Sequence, residues 1–122
     1  MNLNEIIDRF TLVSGLDMRG VSRYLPVIAD CKSYIEERLT GGLDTAQQRR
    51  AAHACAVYAY YKLCMTIPEH EFNYLKAGEL QLSSRSSADI RTAAEHMWEE
   101  ERRAVSDIAD FDSDFGFRSV RI

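Results

Sequence analysis

The sequence predicts an all-α fold. It reads as a small helical bundle of about four helices, with an extended loop or β-hairpin between the last two long helices and an extended C-terminal tail. Three observations lead there. Six Gly and two Pro among 122 residues are about 7% of the chain, against about 12% in average usage, and so few backbone breakers favour long helices over a many-turned sandwich. Apolar residues recur at three- and four-residue steps, the helical period, through most of the chain. One segment in the middle is apolar nearly all round, as a helix with neighbours on several sides must be. At 122 residues the chain fits one domain, 1–122, with a helical body at about 4–108, an excursion at about 69–87 and a C-terminal arm at about 110–122.

The first helix runs from about Asn4 to Val13. Asn4 is placed to cap it, and Leu3, Ile6, Ile7, Phe10 and Val13 form its apolar stripe. Gly15 and Gly20 bracket a break. A second helix follows, with Ser22 as its cap and Pro26 in its first turn, where the missing N–H costs nothing. Its stripe is Val21, Leu25, Ile28, Cys31 or Lys32, Ile35 and Leu39, and Gly41-Gly42 ends it. The third helix opens at a Thr45 cap and stops at Pro68, some 22 residues or roughly 33 Å at 1.5 Å per residue. Its middle, Ala51 to Tyr61, is the expected core.

From Glu69 to Ser87 the helical period is lost. Leu75 to Leu82 has Gly78 in its middle and alternation at its end, which reads as a loop or short hairpin reaching out from the helical body. Ser86 and Asp89 are spaced like a capping box for a fourth helix, about Ala88 to Ile108. That helix carries Ile90, Ala94, Met97, Glu101, Ala104 or Val105, and Ile108 on one face, with Trp98 and the acidic run Glu99 to Glu101 on the other. The tail holds Phe111, Phe115, Phe117, Val120 and Ile122. Water does not suit so aromatic a segment, so it folds back on the domain or docks on a partner.

Composition excludes several classes. A net charge of −4, with 15 basic residues scattered among 19 acidic ones, disfavours tight non-specific nucleic-acid binding, which gains affinity by neutralising phosphates. Residues 1–44, 45–85 and 86–122 carry −2, +2 and −4, a mild polarity along the chain. Cys31, Cys55 and Cys64 are odd in number, lack CxxC spacing and sit in apolar helical contexts, so they read as reduced buried thiols. No apolar run approaches the roughly 20 residues a membrane helix needs, and the first residues do not resemble a signal peptide, so a cytosolic soluble chain is expected.

The search for chemistry returns nothing above background. Asp110, Asp112 and Asp114 resemble the start of a calcium loop, but Phe115 stands where the sharp-turn Gly belongs and Arg121 where the bidentate Glu belongs. His96 and Glu100 share a helix face, and His70 lies between Glu69 and Glu71, yet two ligands do not make a site. His53 reads as a hydrogen-bonded core or interface histidine, and its two-residue distance from Cys55 points the two side chains to different faces. There is no nucleophile elbow, phosphate loop or dinucleotide fingerprint. No catalysis, cofactor or metal is expected.

The order of the remaining features carries a resemblance. Tyr24-Leu25-Pro26 opens a helix, and Ala54-Cys-Ala-Val-Tyr58-Ala-Tyr-Tyr61 fills the central one. Lys76-Ala-Gly78-Glu-Leu80, the helix from Ala88 through Ala104, and Phe115-Gly-Phe117-Arg-Ser-Val120 follow. This pattern, over roughly residues 22–120, resembles the small head–tail connector (adaptor) proteins of tailed bacteriophages and prophages. The segment 1–20 and the Asp-rich turn at 110–114 carry none of it.

The resemblance implies a structural subunit of the virion's head–tail junction, present in the host cytoplasm before assembly. Identical subunits, about twelve to a particle, would form a ring beneath the portal protein. The ring would extend the DNA channel and dock a tail-completion or stopper protein, with DNA passing through unread. Its subunit and partner contacts would fall on the excursion, at Lys76, Gly78, Leu80 and Leu82, and on the tail, at Phe111, Phe115, Phe117 and Val120. The competing class is a small helical regulator, a dimeric DNA-binding or antitoxin-like protein, which needs a clustered basic face.

Overall fold

The computed structural model describes residues 1–72 and 86–111, and among these the chain is all-α. Five helices lie wholly among the described residues: α1 (Leu3–Ser14), α2 (Met18–Arg23), α3 (Leu25–Glu36), α4 (Thr45–Thr66) and α5 (Ser87–Ala104); residues 69–72, after Pro68, are helical too. Helix α4 is the axis of the fold. Helices α1, α3 and α5 all pack against it, and from Ala51 to Tyr60 every residue except His53 is buried. Ala51, Ala52, Ala54, Ala56 and Ala59 are at most 1% exposed, so three neighbours can press close to one backbone. Into these contacts α1 brings Ile6 and Phe10, α3 brings Ile28, Cys31 and Ile35, and α5 brings Ile90, Ala94 and Trp98.

The caps explain where the helices begin. Asp44, one residue ahead of the expected Thr45, caps α4. Its carboxylate accepts from the Gln47 N–H at 2.8 Å, and the Gln47 side chain accepts from the Asp44 N–H at 3.0 Å, a reciprocal capping box. Asn2 rather than Asn4 caps α1, which ends on Gly15 in the left-handed region at φ 74°. Ser86 caps α5 by accepting from the Asp89 N–H, as its spacing predicted.

The expected second helix divides in two. Pro26 has no N–H for the carbonyl of Ser22, one turn back, so a continuous helix cannot run through it. The chain breaks at Tyr24 (φ −108°, ψ 15°) and α3 restarts at Leu25, leaving Ser22 inside α2 rather than capping anything. Asp17 caps α2, accepting from the Gly20 N–H at 2.9 Å.

The largest correction concerns α5. Trp98 is buried at 8% exposure, while Met97 is 38% exposed, so the buried stripe runs Ile90, Ala94, Trp98 rather than through Met97. Steps of four keep the largest apolar side chain of the helix on the inner face. There Trp98 joins an aromatic cluster. Its ring centroid lies 4.7 Å from Tyr58, Tyr58 stacks on Tyr34 at 4.5 Å, and the Arg38 guanidinium covers the other side of Tyr34 at 3.6 Å.

Burial also settles the thiols. Cys31, Cys55 and Cys64 are free and buried, and desolvation pushes Cys31 and Cys55 up to about 12 and Cys64 up to about 11, from an ordinary 9.0. The unfolded chain therefore ionises first. The stabilising contribution is whole below about pH 9 and is lost as pH rises through the folded values. Urea midpoints are expected to fall across that window, and a thiol reagent at about pH 8 should modify the chain only as fast as it opens. Rapid labelling of the folded protein would contradict this burial.

Candidate functional site

The two segments marked as contact arms lie mostly outside the described residues: Lys76, Gly78, Leu80 and Leu82 in one, Phe115, Phe117 and Val120 in the other. Their roots are described. Of the excursion expected at about 69–87, residues 69–72 are helical instead, the Phe72 N–H donating to the Pro68 carbonyl at 3.0 Å; the loop or hairpin expected at 75–82 and the tail beyond Phe111 fall outside the described residues.

Phe111, the remaining predicted contact residue, is part of the core. It is 5% exposed, meets Trp98 edge to face at 5.4 Å and stacks near Tyr34 at 6.3 Å. Its ring is spent within its own chain, so the structure places Phe111 in the core rather than on a contact surface. Backbone pairing holds Phe111 there. Beyond α5 the chain turns and forms an antiparallel bridge, Leu39 with Ala109. The Thr40 N–H donates to the Ile108 carbonyl at 2.9 Å, and the Asp110 N–H donates to the Arg38 carbonyl at 2.8 Å. The tail root is thereby tied to the end of α3.

Helices α4 and α5 run antiparallel, and each lends an arginine to the other's C-terminal end. The last carbonyls of a helix have no partner within it and carry partial negative charge. Helix α4 has no basic residue in its own last turn. Arg91 of α5 supplies one, donating through Nε to the Cys64 carbonyl at 3.0 Å and pairing with Glu69 at 3.2 Å. At the opposite end Arg50 of α4 donates to the Ala104 carbonyl of α5 at 2.7 Å. Arg50 also grips Asp107 with both terminal nitrogens, at 3.0 and 2.8 Å, which holds that carboxyl below its usual range.

These two ties mark the two roots. Chain 73–85 departs beside the Arg91 tie and rejoins at Ser86, while the tail departs beyond the Arg50 tie. The chain past α5 folds back along it, so the described residues end at Phe111 against Trp98, seven positions along the helix from Arg91.

Other candidates yield little chemistry. His53 stands part-exposed between α4 and α5, its Nε2 3.8 Å from a Glu101 carboxylate oxygen and its Nδ1 without a hydrogen-bond partner. Cys55 is buried with a raised pKa, the reverse of what a nucleophile needs. No cluster of three metal-ligating side chains occurs among the described residues. A cleft of about 240 Å³ beside Phe111, lined by Thr40, Arg102, Arg103, Ser106, Ala109 and Asp110, falls below the roughly 300–1,000 Å³ of small-molecule sites. No helix among the described residues is long and apolar enough to cross a membrane.

Sequence reasoning missed the two arginine ties. Each arginine sits in the second turn of its helix, which is where a residue meets the end of an antiparallel neighbour, but that spacing has meaning only once the pairing is known. Exposed Leu12 (84%) and Met18 (69%) were equally unmarked; they flank the turn between α1 and α2.

No protein-family model, curated protein or solved structure matches the chain.

Proposed function

We propose that this chain is a structural subunit of a phage or prophage head–tail connector. In this reading identical copies close into a ring beneath the portal protein, extend the DNA channel and dock a tail-completion or stopper protein. The observation that supports it best is that the described chain anchors the two segments at separate places, 73–85 beside the Arg91 tie and 112–122 after Phe111, which packs on Trp98. A ring subunit must touch unlike surfaces on its two sides, and two separately anchored segments suit such head-to-tail contacts. The net charge of −4 suits a conduit through which DNA slides. No catalytic step, cofactor or metal forms part of the reading.

Duplex DNA separates this function from that of a small DNA-binding regulator. A connector subunit is expected to leave duplex DNA unretarded in a mobility-shift titration at physiological salt. Tight retention that weakens steeply as salt rises would overturn the connector reading in favour of the regulator.

A further inference from the structure

We propose that the exposed corner between α1 and α2 is a self-association surface, on which two copies of this chain pair about a two-fold axis. Leu12 (84% exposed) and Met18 (69%) are the most exposed large apolar side chains among the described residues. Exposed apolar side chains scattered singly are ordinary, but these two stand on either side of one turn. The turn between them is fixed. Ser14, the last residue of α1, is buried, and its Oγ accepts from the N–H of Leu16, itself 5% exposed, at 3.2 Å.

The charges around the corner point to its occupant. Within residues 1–25, Glu5 pairs with Arg9, Asp17 caps α2 and Arg23 pairs with Glu71. Asp8 and Arg19 remain. Both are exposed, and neither side chain makes an ion pair or hydrogen bond among the described residues. Asp8 lies one turn before Leu12 and shares its face of α1, while Arg19 follows Met18 in the first turn of α2. The order is therefore a negative charge, two apolar side chains, then a positive charge. A two-fold axis through the middle sets Asp8 of each copy against Arg19 of the other, with Leu12 and Met18 covering one another between them. Copies stacked in the same direction would set like charges together, and a partner of one charge sign would satisfy only one of the two groups. So few residues make a small contact, below about 1,200 Å² in total, and the pairing is weak and follows concentration. It stands apart from the connector reading: a lone chain would become a dimer, and a closed ring would meet a second ring face to face.

Sedimentation equilibrium of the full-length chain, from micromolar to millimolar concentration, reads the pairing as a doubling of mass. Leu12→Gln is expected to weaken it about tenfold with circular dichroism unchanged. Arg19→Asp and Asp8→Arg each bring like charges together twice, and each should weaken it about tenfold as well. Mixed in equal amounts, those two variants should pair again, because every acidic side chain at the contact then faces a basic one. A wild-type mass that never doubles would overturn the pairing and leave the corner to an unlike partner. Doubling that survives all three substitutions would place the contact elsewhere on the molecule and overturn it equally. Reversals that weaken doubling without recovery on mixing would overturn the match of Asp8 with Arg19. Should a reversal disturb the fold, Leu12→Gln decides: weaker doubling supports the corner and unchanged doubling refutes it. Formation of a ring, or its absence, tests the connector reading and leaves this one untouched.

Discussion

Phe111→Ala is expected to cost about 3 kcal/mol of folding stability, the effect of removing a buried aromatic ring from a core. Phe111 closes the aromatic cluster from the end of the chain, edge to face against Trp98 at 5.4 Å and near Tyr34 at 6.3 Å. Its loss leaves a void beside Trp98, while the Leu39–Ala109 bridge and the Arg50–Asp107 pair still hold the strap before it. Trp98 is the chain's single tryptophan, so its emission reports the change directly, shifting to the red as water reaches the indole. Urea unfolding followed by that emission measures the cost. A loss under about 0.5 kcal/mol would place Phe111 among surface residues and contradict the cluster.

Removal of residues 112–122 should do the opposite. A chain stopped at Phe111 keeps every described helix and the Phe111–Trp98 contact, and with 112–122 acting as a contact arm, as the connector reading has it, it is expected to melt within about 2 °C of the full chain, a change worth well under 1 kcal/mol for a domain of this size. Assembly should be abolished, because the removed segment carries Phe115, Phe117 and Val120. Thermal melts and native mass on the same preparation separate the outcomes. Large destabilisation would show that the tail belongs to the fold, and unimpaired assembly would show that it is not an arm. The cut must fall after Phe111: a truncation one residue earlier would mix the two effects.

What could be read from the residues follows from how local each signal is. Helix α4 was legible because alanines on every face of one segment admit a single explanation, a helix surrounded by others. Its N-cap was off by one residue, since Asp44 and Thr45 are both good caps and only the position of Gln47 chooses between them, while the stop before Pro68 was right. The division at Tyr24 was hidden behind a stripe that continues across it: Val21, Ile28, Cys31 and Ile35 are all buried although they belong to two helices. In α5 one position of the stripe was set one residue out, because Met97 and Trp98 both fit the apolar period and the choice depends on which side chain the neighbouring helices accommodate; Ile90, Ala94, Val105 and Ile108 are buried as expected. Tyr34 and Tyr58 accommodate the tryptophan. The two arginine ties had no such local signal. Arg50 and Arg91 find partners 54 and 27 residues away at helix ends, and no local pattern announces a tie made by tertiary pairing.

Light scattering and native mass spectrometry of the purified full-length chain, over a wide concentration range, test the central claim most directly. The account predicts a discrete closed particle of about a dozen subunits that persists on dilution. A monomer or dimer whose mass does not change with concentration would contradict ring formation by this chain.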